Sequence, residues 1–280
     1  MAETLGTAAA ATTAAAATAT TAPTSAVAPD PNQQDEALEP DEGVAVAYSF
    51  PNDEVEMDRL DMAHALMVRA IGSKLYLAPL EKEKIHRILD IGTGTGICEL
   101  FSLRRWFSGP DSGVSVPGAV EIGDIFENAE GPPNVKFEID DVESPWVVQN
   151  KYDYIMCRYM AGSIADWPRL ISNIYDNLNP GGWAEFQDMS TEYYSDDGTY
   201  TPEHATYDWN QTFVKTLRTM GRDPSPGPQL EGWVRAHNGF DHVFHQKFKT
   251  PIGPWAKDKH HKDQGMLNLV QILGASRRSR

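Results

Sequence analysis

Three glycines at every second position are the feature of this chain that most directly predicts chemistry. Residues 88–97 read Ile-Leu-Asp-Ile-Gly-Thr-Gly-Thr-Gly-Ile, so an aliphatic run that contains Asp90 leads into Gly92, Gly94 and Gly96. A Cβ atom at these glycines would keep a ligand away from the backbone, whereas glycine lets the ligand approach closely. The spacing therefore predicts a strand that ends in a ligand-binding loop.

The residues that follow predict that the loop opens a helix, because apolar side chains recur at helical spacing from 97 to 107. A strand, a glycine-rich loop and a helix form the first unit of nucleotide-binding α/β domains. The dinucleotide pattern G-x-G-x-x-G would need glycine at position 97, where the chain has isoleucine. The pattern from Asp90 to Gly96 instead resembles the first motif of S-adenosylmethionine (SAM) methyltransferases. We therefore expect SAM as the cofactor, with Gly92, Gly94 and Gly96 in contact with it.

Apolar runs alternate with helical patterns along the rest of the chain. This alternation favours an α/β fold with a mostly parallel sheet and helices on both faces. Pro79 is expected to end the first helix, and residues 179–182 to end the helix that precedes the fifth strand. The predicted strands are 85–91, 119–123, 135–139, 152–157, 183–187 and one near 242–249, and the predicted helices are 54–77, 97–107, 166–178, about 205–217 and about 230–236.

The first 45 residues differ in composition from the remainder of the chain. They are rich in Ala and Thr, then in Pro, Gln, Asp and Glu. Such a segment has too little apolar surface to offset the entropy of ordering, so we expect residues 1–45 to be a disordered tail. Residues 46–280 are expected to form one domain.

Charge and composition limit the classes of partner. The formal net charge of −16 argues against direct binding to nucleic acid, which needs a basic surface. The sequence has no apolar run of about 20 residues that would cross a membrane. The two cysteines are typical of reduced core thiols, and no secretion signal is evident. A cytoplasmic or nuclear protein that is not secreted is therefore expected.

In parallel sheets of this kind the ligand lies at the carboxyl ends of the strands. Asp124, or Glu121 if the strand register differs by a few residues, is the candidate acid for the ribose hydroxyls. Asp140 and Asp141 follow the third strand and suit a hydrogen bond to the adenine amino group. Arg158 follows the fourth strand and is expected at the methionine end of the cofactor.

The catalytic residue is left unassigned. Methyl transfer depends mostly on in-line positioning, because the sulfonium is already a strong electrophile. A general base matters only when the acceptor must lose a proton, and the candidates are His204, Tyr207, Glu185 and Asp188. No recognisable spacing of metal ligands is present, so no metal site is predicted.

Longer segments of the chain resemble one family. Residues 50–270 are similar to the LaeA-like SAM-dependent methyltransferases of filamentous fungi. The resemblance implies a Rossmann-like class I methyltransferase fold, SAM as cofactor and a setting in secondary metabolism. The segments that carry it are NDEVEMDRLDMAH (52–64), KLYLAPL (74–80), RILDIGTGTGI (87–97), PPNVKFEIDD (132–141), RYMAGSIADWPRL (158–170), NPGGWAEFQD (179–188), YSDDGT (194–199), GRDPSPGPQLEGWVR (221–235) and PIGPW (251–255).

The chain departs from this family at two places. Residues 98–131 match poorly, and the strand that the family places last, antiparallel between the fifth and sixth strands, is expected to be missing. An enzyme that methylates a small-molecule acceptor is the first interpretation. The alternatives are a regulator of secondary-metabolite genes that works through regulatory protein partners, and a non-catalytic remnant that binds SAM.

Overall fold

The structure, a computed structural model, describes residues 7–17, 54–94, 119–122, 135–138, 140–148 and 150–276. Its centre is a seven-stranded sheet with the order β4-β3-β2-β5-β6-β1-β7. Pairing is parallel from β4 to β6, and β1 pairs antiparallel with both β6 and β7. The strands are β1 Thr7–Ala17, β2 Ile88–Ile91, β3 Ala119–Ile122, β4 Val135–Glu138, β5 Tyr152–Arg158, β6 Leu178–Met189 and β7 Phe240–Pro251.

The helices confirm the predicted alternation in the described part of the chain. The second helix begins after Asp166, whose side chain accepts a hydrogen bond from the Arg169 backbone N–H at 3.0 Å. Pro168 lies in its first turn, where a missing N–H costs nothing. The helices are α1 Glu54–Ala70, α2 Trp167–Asp176, α3 Ala205–Thr219, α4 Gly227–His237 and α5 Lys259–Ser276, with a short 3₁₀ turn at Lys82–Lys84.

The central strands are buried on both faces. Successive side chains of a strand point to opposite sides, so alternate residues of β5 belong to two different core clusters. In β5, Ile155 and Cys157 join the core cluster that includes residues of α2 and α4. Tyr154 and Met156 join a second cluster with Ile85. Strands covered on both faces read as nearly continuous apolar runs, which is the pattern of β2 and β5.

The first helix ends earlier than the sequence predicted. We expected it to continue to position 77 and to stop at Pro79, but α1 ends at Ala70. Gly72 and Ser73 have φ angles of 78° and 59°, and the Ser73 N–H donates to the Val68 carbonyl at 2.8 Å. Left-handed residues directly after a helix bond its last carbonyls and stop it, so the glycine and not the proline sets the end.

The fifth predicted strand begins earlier than expected. Residues 179–182 were predicted to separate a helix from a strand at 183–187, yet they lie inside β6, Leu178–Met189. A Cβ atom on Gly182 would lie 2.9 Å from the Asn179 carbonyl oxygen and 3.0 Å from that of Asp153. Glycine is therefore required at position 182 because the backbone passes close to the carbonyl groups of Asn179 and Asp153, and it does not mark a turn between a helix and a strand.

The amino-terminal segment contains a strand that the sequence did not predict. Residues 1–45 were predicted to be disordered, but Thr7–Ala17 form β1, with Ala10 opposite Met189 of β6 and Thr7 opposite Pro251 of β7. This strand fills the position at which the last family strand was expected to be missing. The composition argument failed because it counts apolar side chains, whereas a strand paired on both sides is stabilised through its backbone. The predicted helix at 97–107 lies outside the described residues.

Candidate active site

The glycine-rich loop leaves the carboxyl end of β2 and packs against the end of β5. Gly92 and Gly94 have φ angles of 76° and 61°, a region that L-residues rarely adopt. A Cβ atom on Gly92 would lie 2.2 Å from the Sδ atom of Met160 and 3.5 Å from the Arg158 carbonyl oxygen. Between the two glycines, Thr93 is buried and its Oγ1 has no hydrogen-bond partner in the described part of the chain. Gly96 lies outside the described residues.

Arg158 ends β5 beside this loop and is 7% exposed. Its Nη2 lies 2.9 Å from Nδ1 of His64, a residue of α1. The Nη1 atom is buried and has no hydrogen-bond partner among the described residues. A buried guanidinium N–H without a partner is costly, so this atom is a candidate donor to an anionic ligand group.

The His64 imidazole is neutral at physiological pH. Burial, and then the positive charge of Arg158, lower its pKa to about 4. Since Arg158 has only donors, Nδ1 of His64 accepts this hydrogen bond and the ring proton stays on Nε2. His64 therefore orients the arginine and has no free lone pair with which to act as a base.

Tyr159 follows Arg158 and has a φ angle of 61°. Its hydroxyl accepts a hydrogen bond of 2.9 Å from Nε2 of Gln271 in α5, and Nη1 of Arg59 in α1 lies at 3.4 Å. Burial raises the pKa of the Tyr159 hydroxyl, although the charge of Arg59 acts in the opposite direction. Tyr159 thus joins both outer helices to the carboxyl end of β5 as a neutral phenol.

Asp188 lies near the carboxyl end of β6 and positions the same turn. It is 1% exposed, and its two oxygens accept the backbone N–H groups of Met160 and Met189, each at 2.8 Å. Burial raises the pKa of this carboxyl to about 7, against the effect of the backbone hydrogen bonds. Among the predicted candidate bases, Asp188 is the one that the structure places beside Tyr159.

Glu185 has a structural role instead. It is completely buried, and its carboxylate accepts hydrogen bonds from the backbone N–H groups of Leu77 and Ala78 and from the side chains of Tyr154 and Gln187. These four donors occupy both oxygens. A carboxylate surrounded in this way cannot reach an acceptor proton, so the structure does not support Glu185 as the base.

The other two candidate bases lie further along the chain. His204 precedes α3, and its Nε2 lies 2.8 Å from the Thr199 carbonyl oxygen. Tyr207 lies in the first turn of α3, where its ring contacts Tyr200 at a centroid distance of 5.4 Å. In the described part of the chain, no hydrogen bond joins either residue to Arg158 or Tyr159.

The acidic residues expected to hold the nucleoside lie in different parts of the structure, and one of them is not described. Asp124 lies outside the described residues, and Glu121 lies in β3, directly opposite Asp90 of β2. Asp140 is exposed, and its Oδ1 accepts the Asp141 N–H at 2.8 Å. The Asp141 carboxylate accepts the Glu143 N–H at 3.0 Å and the Ser144 hydroxyl at 2.7 Å, which orders a local turn.

Sequence reasoning missed the contribution of the outer helices. Glu56, Arg59 and His64 in α1, and Gln271 in α5, form the polar surroundings of Arg158 and Tyr159. A signal was present in α5, where Gln264, Asn268 and Gln271 recur at helical spacing and are at most 5% exposed. A buried polar stripe on a helix indicates a polar site beneath it.

The chain is similar to a family model, to two fungal proteins and to a solved structure. The family model described as a methyltransferase domain matches residues 29–247. The chain is 42% identical over 229 residues to methyltransferase pytC from Aspergillus terreus, a match that covers 82% of this chain and 68% of that protein. It is 30% identical over 237 residues to the secondary metabolism regulator LAE1 from Cochliobolus heterostrophus, covering 81% and 74%. Among solved structures, YcgJ from Bacillus subtilis is 22% identical, with a TM-score of 0.39 over 60% of this chain and 66% of that chain.

Proposed function

The chain belongs to the methyltransferase-domain family and is a SAM-dependent methyltransferase, and we propose that its acceptor is a small molecule of fungal secondary metabolism. The similarity to pytC and to a secondary metabolism regulator supports this setting. The Nη1 atom of Arg158 lies beside the glycine-rich loop and has no hydrogen-bond partner among the described residues, and this observation carries the proposed cofactor site.

The residues at the carboxyl ends of β2 and β5 fit SAM. Among the described residues, a Cβ atom at Gly94 would meet only Leu60 Cδ1, at 3.7 Å, so the left-handed backbone leaves space there for a ligand. At Gly92 the Met160 side chain occupies that space. The guanidinium of Arg158 would pair with the methionine carboxylate, and the Thr93 hydroxyl in the loop is a further buried polar group without a partner in the described part of the chain. Asp124 or Glu121 for the ribose, and Asp140 and Asp141 for the adenine, remain part of this proposal.

Bound SAM supplies an electrophilic methyl group on a positively charged sulfur. An acceptor would take this methyl group from the sulfur, which would leave with the bonding electron pair as S-adenosylhomocysteine. The residues of the chain position the reactants. His64 orients Arg158, and Asp188 holds the turn that carries Tyr159 and Met160. Holding the reactants in line accounts for most of the rate in such a transfer.

Calorimetric titration with SAM and with S-adenosylhomocysteine tests the cofactor site. The wild-type protein is expected to bind both, and Arg158→Met to lose about tenfold or more in affinity, the usual loss of a charge-assisted hydrogen bond. Arg169→Met, which removes an exposed arginine from α2, is the matched control and is expected to bind normally. A folded wild-type protein that binds neither ligand would contradict the proposal.

The acceptor class needs a separate measurement. Methyl-labelled SAM is incubated with the protein and with extracts of a fungal culture, and the label is followed in the small-molecule and protein fractions. Label in the small-molecule fraction supports the proposed acceptor. Label confined to protein would favour a regulator that acts through protein partners.

A further inference from the structure

Five aromatic rings lie on helix α3 and on the segment that joins β6 to it. Each of them is half-buried, and none belongs to the main core clusters. The indole of Trp209 and the ring of Phe213 are nearly parallel, with centroids 5.8 Å apart and an interplanar angle of 8°. We call this group the aromatic wall, and its members are Tyr193, Tyr200, Tyr207, Trp209 and Phe213.

The aromatic wall is not the core-facing side of α3. The buried residues of that helix include Asn210 and Val214. Trp209 and Phe213 each precede one of these positions, so they lie beside the buried stripe and remain partly exposed. A tryptophan that does serve the core, Trp167, is only 2% exposed. Since half-exposed rings lose part of their hydrophobic stabilisation, a cluster of them, three of which are stacked, indicates a surface kept for a ligand.

The wall is held rigidly to the fold. Asn210 is completely buried, and its Oδ1 accepts the Tyr193 backbone N–H at 3.1 Å, while its Nδ2 donates to the Thr191 carbonyl at 2.7 Å. The Tyr193 ring then stacks on Trp209, with a centroid distance of 6.4 Å and an interplanar angle of 29°. The rings therefore do not need to be ordered by the ligand, which reduces the entropic cost of binding.

The wall is continuous with the candidate active site. Leu217 of α3 contacts the turn that follows β5, since a Cβ atom on Gly162 would lie 3.0 Å from the Leu217 Cδ1 atom. Burial raises the pKa of the Tyr193 hydroxyl, and its electrostatic interaction with the hydroxyls of Tyr159 and Tyr200 acts in the same direction. Tyr159 directly follows Arg158 at the end of β5. Among the described residues, the Tyr193 hydroxyl has no hydrogen-bond partner, so it is free to bond a ligand that reaches the cofactor.

We propose that the aromatic wall binds the methyl acceptor, and that this acceptor is a flat, neutral aromatic compound that carries a hydroxyl group. The proposal rests on the proposed function. An oxygen lone pair of the acceptor forms the bond to the methyl carbon, the electron pair of the sulfur–carbon bond returns to sulfur, and the hydroxyl proton passes to water. Flat rings stack favourably on Trp209 and Tyr193, and Tyr193 offers the polar contact that orients the hydroxyl.

Two probes of similar size separate aromatic stacking from general apolar binding. Binding of 2-naphthol and of its saturated analogue decahydro-2-naphthol is measured by calorimetry on protein saturated with S-adenosylhomocysteine. We expect 2-naphthol to bind about tenfold more tightly, because only the flat ring can stack on the wall. Trp209→Leu, which keeps an apolar side chain and removes the flat ring, should abolish this preference.

Further variants locate the contact. Tyr193→Phe keeps the ring and removes the hydroxyl, so it is expected to weaken 2-naphthol binding by about threefold to tenfold, the range for one hydrogen bond. Lys215→Ala, on the exposed side of α3, is the matched control and should change nothing. Binding of S-adenosylhomocysteine should be unchanged in all three variants, which also reports that they are folded.

The outcomes distinguish this inference from the proposed function. Equal binding of the two probes, or an unchanged preference in Trp209→Leu, would overturn the aromatic wall as the acceptor site while leaving the cofactor site intact. Failure of the folded wild-type protein to bind S-adenosylhomocysteine would instead count against the proposed function.

Discussion

Replacing Glu185 with glutamine should destabilise the fold by about 3 kcal/mol, since hydrogen bonds to a charged group contribute about 1.5–3 kcal/mol each. The carboxylate receives the Leu77 N–H at 2.8 Å, the Ala78 N–H at 2.9 Å, the Tyr154 hydroxyl at 3.0 Å and the Gln187 amide at 2.7 Å. In glutamine one oxygen becomes an NH₂ group, which can accept nothing and faces donors. Up to two of the four bonds are lost, and relief from burying a charge offsets part of that loss.

Urea unfolding followed by far-ultraviolet circular dichroism measures this effect. In a heat-denaturation experiment the same loss corresponds to a drop of about 6–12 °C in Tm, for a chain of this size. Glu83→Gln, an exposed glutamate in the short 3₁₀ turn, is the matched control and should stay within about 0.5 kcal/mol of the wild type.

A double-mutant cycle tests whether the loss comes from these hydrogen bonds. Tyr154→Phe removes one donor and should cost about 1 kcal/mol alone. Combined with Glu185→Gln it should cost less than the sum of the two, because both changes break the same contact. The reasoning is refuted if Glu185→Gln lies within about 1 kcal/mol of the wild type, or if the two losses simply add.

Three further outcomes are expected. Gly94→Leu should abolish SAM binding in calorimetry. Gly198→Leu is the control, since it meets the same left-handed strain (φ 74°) in an exposed turn, and it should leave SAM binding unchanged. Loss of binding in both variants would show that backbone strain alone is responsible. Asp124→Ala should weaken SAM binding by about 1–3 kcal/mol, and an effect of Glu121→Ala in its place would assign the ribose contact to Glu121. The pKa of His64 is lowered from 6.5 to about 4 in the folded state, so its contribution to stability is complete above pH 6.5 and is lost as the pH falls toward 4, by about 2–3 kcal/mol. Urea unfolding of His64→Gln at several pH values should lack this acid-induced loss. A pH profile identical to that of the wild type would refute the assignment.

The strands of the parallel part of the sheet could be predicted from the sequence because a buried strand consists mostly of apolar residues. Predicted strands at 119–123, 135–139 and 152–157 are confirmed within about a residue at each end, the usual uncertainty of such boundaries. The predicted loop at Gly92 and Gly94 leaves the carboxyl end of β2 as expected, while the binding of SAM by these glycines and by Arg158 stays a prediction. Continuous apolar runs and paired glycines are local signals, so they need no knowledge of the rest of the fold.

The remaining features depend on contacts between distant segments. Helix α5 supplies Gln271 to Tyr159, but neither residue is unusual when read alone. Whether Glu185 is a base or a buried support is decided by Leu77 and Ala78, which lie more than one hundred residues earlier. Such assignments follow only from tertiary contacts, and no local pattern encodes them.

The placement of β1 has a consequence for how the chain folds. Ala16 pairs with Trp183 and Thr7 pairs with Pro251, so the first strand to be synthesised needs partners that emerge from the ribosome much later. Loops of this length are costly to close, and pairings between distant segments slow folding. Both edges of Thr7–Ala17 can be paired only after β6 and β7 have been made, so sheet completion is expected to be the last step of folding, after the parallel strands have formed their core.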